Sequence, residues 1–225
     1  MNASLPQPAR TRWQPLRLGL IELYHYDVEE FWSEDGHLML RGNNGTGKSK
    51  VLSLTLPFLL DASLSPARVE PDADPKKRME WNLLMGGRND RRSGYAWIEF
   101  GRVDEDSEVQ FLTLGAGLRA TAGRGSVDAW FFASEARIGA GLQLVDADRV
   151  VATRERLAEA IGSANVFTTA REYRRRVDER LFGLGEARYR ALMDTLIQLR
   201  QPQLSKQPNE ANLSRALSQA LAPLE

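Results

Sequence analysis

Residues Gly42-Asn43-Asn44-Gly45-Thr46-Gly47-Lys48-Ser49 decide how this chain reads. They satisfy G-x-x-x-x-G-K-[ST] at each fixed position, the pattern of a phosphate-binding loop. Its glycines permit a backbone that turns successive amide N–H groups toward phosphate oxygens. A helix expected from Lys48 to Leu56 adds its positive N-terminal end. In such a loop Lys48 reaches the β- and γ-phosphates and the Ser49 hydroxyl coordinates Mg²⁺. The expected cofactors are therefore ATP and Mg²⁺, held by Gly42 to Ser49, with Lys50 beside them in the first helical turn. A glycine-rich turn with a chance lysine is the bland alternative. The context argues against it, because the apolar run His37-Leu38-Met39-Leu40-Arg41 reads as a strand feeding the loop and an apolar helix follows.

Outward from the loop the chain changes period twice. Upstream, Leu16, Leu18 and Leu20 alternate with Arg17 and Gly19 as in a strand, and a second strand is expected around Phe31 and Trp32. Residues 1–12, rich in Pro and Ala, are expected to form a flexible N-terminal arm. Downstream, Pro57 ends or kinks the loop helix. The stretch from Ser63 to Lys77 carries three prolines and reads as a surface loop, with a short apolar element from Trp81 to Met85 after it. Strands are expected at Tyr95 to Phe100, Val109 to Leu118 and Trp130 to Ala133, an antiparallel meander. From Thr153 the period lengthens to about 3.6 residues. Helices are expected at Arg154 to Ile161, Ala170 to Phe182, Glu186 to Arg200 and Asn209 to Leu221. The fold class is thus α/β: a mixed sheet, an antiparallel meander and C-terminal helices.

Composition narrows the chemistry. Lys plus Arg and Asp plus Glu both total 30, so any nucleic-acid surface must be a local patch. Cysteine is absent, which excludes disulfides, zinc ribbons and thiol catalysis. His25 and His37 are the two imidazoles, and both are expected to be structural. No apolar run reaches the about 20 residues of a membrane span, and no signal-peptide pattern opens the chain, so a cytoplasmic protein without membrane association is expected.

Hydrolysis needs more than the loop: a carboxylate at the end of an apolar strand must hold Mg²⁺ and help to activate water. Leu142-Gln143-Leu144-Val145-Asp146 is the best internal candidate. Its alternation suits a half-buried strand rather than a central parallel one, so Asp146 reads as a turn residue. The catalytic set is incomplete.

The Asn44-Gly45 pair makes the loop G-x-N-G-x-G-K-S, which resembles SMC, MukB and related chromosome-organising ATPases. That resemblance implies the N-terminal lobe of a split ABC-type ATPase head, covering residues 13–225, with a coiled coil and a C-terminal lobe expected beyond. The chain lacks the Ser-Gly-Gly signature that such a C-terminal lobe supplies. It is most similar to the JetC (MukB-like) subunits of Wadjet plasmid-defence systems. The strings that carry this are Arg12 to Pro15, Arg78 to Gly86, Gly94 to Phe100, Gly117 to Ala120 and Leu199 to Lys206. The resemblance implies a glutamine that joins the Mg²⁺ shell and senses the γ-phosphate, best matched by Gln203, with Gln198 and Gln201 as competitors. It also implies an arginine near the nucleotide or DNA, best matched by Arg78. The arginine-dense helix supplies candidate DNA contacts in Arg171, Arg174 and Arg175, although Glu172, Asp178 and Glu179 are interleaved.

The implied activity is ATP hydrolysis that drives DNA loop extrusion in an anti-plasmid complex, with Lys48 and Gln203 catalytic and only when a C-terminal lobe and a second head are supplied. The implied partners are that lobe, a second head in a homodimer, MukF-like kleisin and MukE-like subunits, a JetD-like nuclease, and DNA. An SbcC-type repair ATPase would share the chemistry. A small-molecule P-loop kinase would need an internal acid such as Asp146 and a sheet built from βα units.

Overall fold

Residues that alternate with a period of two become the strands of one sheet. The computed structural model describes residues 4–43 and 45–200. In chain order the strands are β1 (Gln14–Leu23), β2 (Tyr26–Trp32), β3 (Arg91–Val103), β4 (Val109–Thr121), β5 (Val127–Ser134), the two-residue β6 (Arg137–Ile138) and β7 (Gly141–Leu142), and β8 (Val166–Phe167). Six of them form a sheet in the order β2-β1-β3-β4-β5-β8. Each neighbouring pair in it is antiparallel. The expected mixed sheet is corrected accordingly: parallel pairing among the described strands is confined to β6 with β7.

A second correction concerns the segment that feeds the loop. His37 bridges Glu34, but residues 38–43 join no ladder. The apolar pattern was sound, since Leu38 and Leu40 pack against the core. A strand also needs a neighbour for its backbone, and none lies beside this segment among the described residues.

The helices are α1 (Lys48–Thr55), α2 (Phe58–Asp61), α3 (Pro66–Val69), α4 (Met79–Leu84), α5 (Arg154–Ile161), α6 (Ala170–Leu181) and α7 (Glu186–Leu199). Pro57 follows the end of α1, and a new turn restarts at Phe58. The stretch expected as a surface loop contains α3, and Val69 and Glu70 are each only 2% exposed. The expected helix from Asn209 to Leu221 lies outside the described residues. Among the described residues no helix is long and apolar enough to cross a membrane.

Strand alternation sends side chains to two cores. Leu18, Leu20, Ala96, Ile98 and Leu114 pack beneath helical residues such as Leu54, Phe58, Leu83, Tyr173 and Met193. On the opposite face Tyr95, Trp97, Trp130 and Phe132 meet Leu142, Leu144 and Leu157. Each such large side chain contributes about 1.5–3 kcal/mol on burial. Glycines in β4 make room for two of the rings: a Cβ at Gly117 would lie 2.2 Å from Trp130, and one at Gly115 2.1 Å from Phe132.

The N-terminal arm, expected to be flexible, is docked over residues 4–12. Pro8 is buried against Gly101. Val103 N–H donates to Arg10 O at 2.8 Å, Arg137 donates to Pro6 O at 2.7 Å, and Arg10 pairs with Asp35. Its prolines serve as apolar packing rather than as spacers.

Candidate phosphate-binding site

Sequence puts Gly45 and Gly47 where the backbone must turn left-handed, at φ 85° and 89°. Gly47 is the N-cap of α1, and its carbonyl accepts the N–H groups of Lys50 and Val51 at 2.8 and 3.0 Å. No side chain caps this helix and no acid stands in its first turn. Its positive end therefore carries no anion of its own, the condition under which a helix start favours phosphate.

Lys48 turns back over the loop. Its Nζ donates to Gly42 O at 2.6 Å and to Asn43 O at 2.5 Å, and lies 3.4 Å from Thr46 Oγ1. Thr46 Oγ1 in turn donates to Asn43 O at 2.9 Å. The ammonium is held by neutral oxygens, two carbonyls and the Thr46 hydroxyl, with no carboxylate among its partners. Ser49 is exposed, and its hydroxyl makes no hydrogen bond among the described residues. Asn44 lies outside them. These donors fit Mg-ATP: a cation on neutral acceptors for the β/γ-phosphates, an uncapped helix for charge, and a hydroxyl without a partner among the described residues for the metal.

A hairpin supports the loop from below. Tyr26 Oη donates to Thr46 O at 3.4 Å, and a Cβ at Gly47 would come within 2.5 Å of that hydroxyl oxygen. Gly47 is thus required by conformation and by space. Burial, then the neighbouring Tyr24 and Glu29, push the Tyr26 phenol up, which keeps it a donor. Arg92 ties the hairpin together through Glu22 Oε2 at 2.9 Å, Tyr24 O at 2.7 Å and Tyr26 O at 3.4 Å. Glu22 and Tyr24 both adopt positive φ there, 49° and 56°.

The remaining expected residues are placed unevenly. Lys50 does not share the loop's environment: its ammonium donates to both Glu70 carboxylate oxygens and to Asn82 Oδ1. Arg78 is exposed at the N-cap of α4 and makes no side-chain bond among the described residues. Gln203 and its competitor Gln201 lie outside the described residues, while Gln198 is exposed near the end of α7. Asp146 is a turn residue: its carboxylate accepts the N–H groups of Asp148 and Val150 at 3.0 and 2.8 Å. His25 packs edge-on against Tyr24 and His37 serves the backbone bridge to Glu34. No cluster of His, Cys, Asp or Glu suited to a metal occurs among the described residues.

Arg171, Arg174 and Arg175 of α6 line a cavity of about 940 Å³ together with Asp61, Asp178, Tyr189 and Asp194. This cavity does not include residues 42–49. Arg174 is half-buried and donates to Asp61 O at 2.9 Å. Arg171 pairs with Glu186 at 3.4 Å and Arg175 with Glu179 at 3.7 Å. Each candidate DNA contact already has an acceptor.

A buried ionic cluster escaped the sequence reading. Arg17, 1% exposed, makes a two-point contact with Glu99 at 3.0 and 2.8 Å and reaches Glu30 at 3.0 Å. Arg137 contacts the same carboxylate at 3.1 and 2.7 Å. Burial pushes the Glu99 carboxyl up, but the bonds from Arg17 and Arg137 outweigh it and hold the group below the usual range. Nothing in the local pattern around these residues signals the partnership, because 82 positions separate Arg17 from Glu99.

Comparison with family models, with curated proteins and with solved structures gave no match for this chain.

Proposed function

We propose that the chain binds Mg-ATP through the loop from Gly42 to Ser49 and serves as the N-terminal lobe of an SMC/MukB-like ATPase head. The observation that carries this reading is the pairing of an uncapped, acid-free start of α1 with a Lys48 ammonium held by neutral loop oxygens. Lys48 and the first amides of α1 take the phosphates, and the Ser49 hydroxyl takes the metal. Phosphoryl transfer to water also needs an acid opposite the loop. Asp146 is committed to its turn, so the acid comes from a second lobe, in keeping with the resemblance.

The segment 38–43, unpaired among the described residues, supports the same division. Met39 is 73% exposed, and Leu38 and Leu40 already face the core. Strands from the second lobe are the natural neighbours for that backbone. The antiparallel sheet counts against a small-molecule kinase, which would be built from parallel βα units. From the resemblance follow Gln203 in the Mg²⁺ shell, a second head, kleisin and MukE-like subunits, a nuclease and DNA in an anti-plasmid complex. An SbcC-type repair role shares all of the local chemistry. The test is phosphate release by the purified chain with and without a separately expressed C-terminal lobe. Turnover should appear only with the lobe; turnover by the chain alone that Asp146→Asn abolishes would overturn the split head.

A further inference from the structure

Two residues after Lys48, a second lysine enters an environment of a different kind. Positions i and i+2 on a helix point to opposite sides, so Lys50 is directed away from the face that Lys48 presents. Its Nζ lies 2.7 and 2.6 Å from the two Glu70 oxygens and 2.8 Å from Asn82 Oδ1. An ammonium has three protons, and these three acceptors use them all. Asn82 Nδ2 closes the triangle on Glu70 Oε1 at 2.9 Å. Glu70 and Asn82 are 2% and 0% exposed. The rings of Trp81 and Tyr24 lie 5.2 and 5.7 Å from the ammonium. Burial pushes Lys50 below its ordinary value, with the bonds from Glu70 opposing.

The cluster is also one link in a closed ring. Asn82 O accepts the Tyr24 N–H at 2.9 Å, Tyr24 leads to Tyr26, and the Tyr26 hydroxyl rests on Thr46 and Gly47. From Gly47 the chain enters α1 and returns to Lys50. We infer that Lys50, with the buried Glu70 and Asn82, forms a latch that sets the position of the phosphate loop, and that Lys50 acts on nucleotide through this latch without touching phosphate. The effect on nucleotide rests on the reading of the loop as an ATP site; the latch itself does not. Any partner that shifts α4, whose N-cap is Arg78, would shift the loop through Asn82.

The experiment uses Lys50→Met, Glu70→Gln, the double variant and Asn82→Ala in the full chain, with two readouts. Hydrogen exchange without nucleotide should rise at residues 46–50 and at 24–26 in every variant. Unchanged exchange there would overturn the latch whatever happens with ATP. Dissociation constants for Mg-ATP and Mg-ADP should rise about tenfold in Lys50→Met and Glu70→Gln alike, with little further loss in the double variant and an unchanged ATP-to-ADP ratio. If Lys50 were a phosphate ligand, Glu70→Gln would free its ammonium and tighten binding, while Lys50→Met alone would weaken it; that result overturns the proposal. Absence of Mg-ATP binding by the unsubstituted chain would sink the nucleotide reading and leave exchange to judge the latch. Should Lys50→Met fail to fold, Asn82→Ala, which removes one of the three acceptors, gives the same two readouts.

Discussion

The loop from Gly42 to Ser49 and the Arg17–Glu99–Arg137 cluster hold their charges in opposite ways. Lys48 sits at the surface, bonded to backbone carbonyls that can release it. Arg17 and Glu99 are 1% and 0% exposed and fully matched, with Arg137 completing the set. A buried pair stays because removing one member strands the other, whereas an exposed cation on neutral acceptors stays ready for a ligand. The buried arrangement contributes architecture, and the surface one leaves a cation on neutral acceptors. Lys50 lies between them, partly buried at 13% side-chain exposure and adjacent in sequence to the loop.

Breaking the buried side of this contrast should have the largest effect. Glu99→Ala removes the carboxylate that Arg17 and Arg137 share, leaving Arg17 with the Glu30 carboxylate, and should destabilise the fold by about 3–5 kcal/mol in chemical denaturation. A loss under about 1 kcal/mol would place the cluster with ordinary surface pairs. Next in size, Gly117→Ala drives a Cβ into the Trp130 ring and should cost about 1–3 kcal/mol on the same face. An unchanged midpoint would show that the ring yields freely.

A pH series sharpens the comparison further. The Glu99 carboxyl is held below its ordinary range in the folded chain, so the unfolded chain binds its proton first as pH falls. Its contribution is complete above the unfolded value of about 4.3 and is lost as pH drops toward the folded one. Glu99→Gln should flatten that part of the stability curve, and an identical acid slope in both proteins would contradict it. The smallest expected effect is that of Lys48→Ala on stability, within about 0.5 kcal/mol, since its bonds are exposed. A loss as large as that of Glu99→Ala would make Lys48 structural.

The turn of the loop was legible because Gly45 and Gly47 stand where φ is positive, and a Cβ at Gly47 would meet the Tyr26 hydroxyl. The meander was legible through alternation, with Tyr95 and Trp97 on one face of β3 and Ala96 and Ile98 on the other. The run from His37 to Arg41 misled because an apolar pattern reports burial, while pairing depends on a neighbour elsewhere. Lys50 misled because adjacency in sequence is not adjacency on a helix. Glu70 lay in a proline-rich stretch that reads as surface, and its partnership with Lys50 and Asn82 spans 20 and 12 positions with no period to announce it. The strings from Arg78 to Gly86 and from Gly94 to Phe100 now have physical content: Asn82 belongs to the latch, and Tyr95, Trp97 and Glu99 face the second core and the ionic cluster.

The most direct test of the central claim is equilibrium binding of labelled ATP to the purified chain and to Lys48→Ala, each with Mg²⁺ and with EDTA. The account predicts saturable binding by the unsubstituted chain that weakens at least tenfold in Lys48→Ala and again when Mg²⁺ is removed, with both proteins equally stable. Equal binding by the two proteins, or none by either, would contradict it.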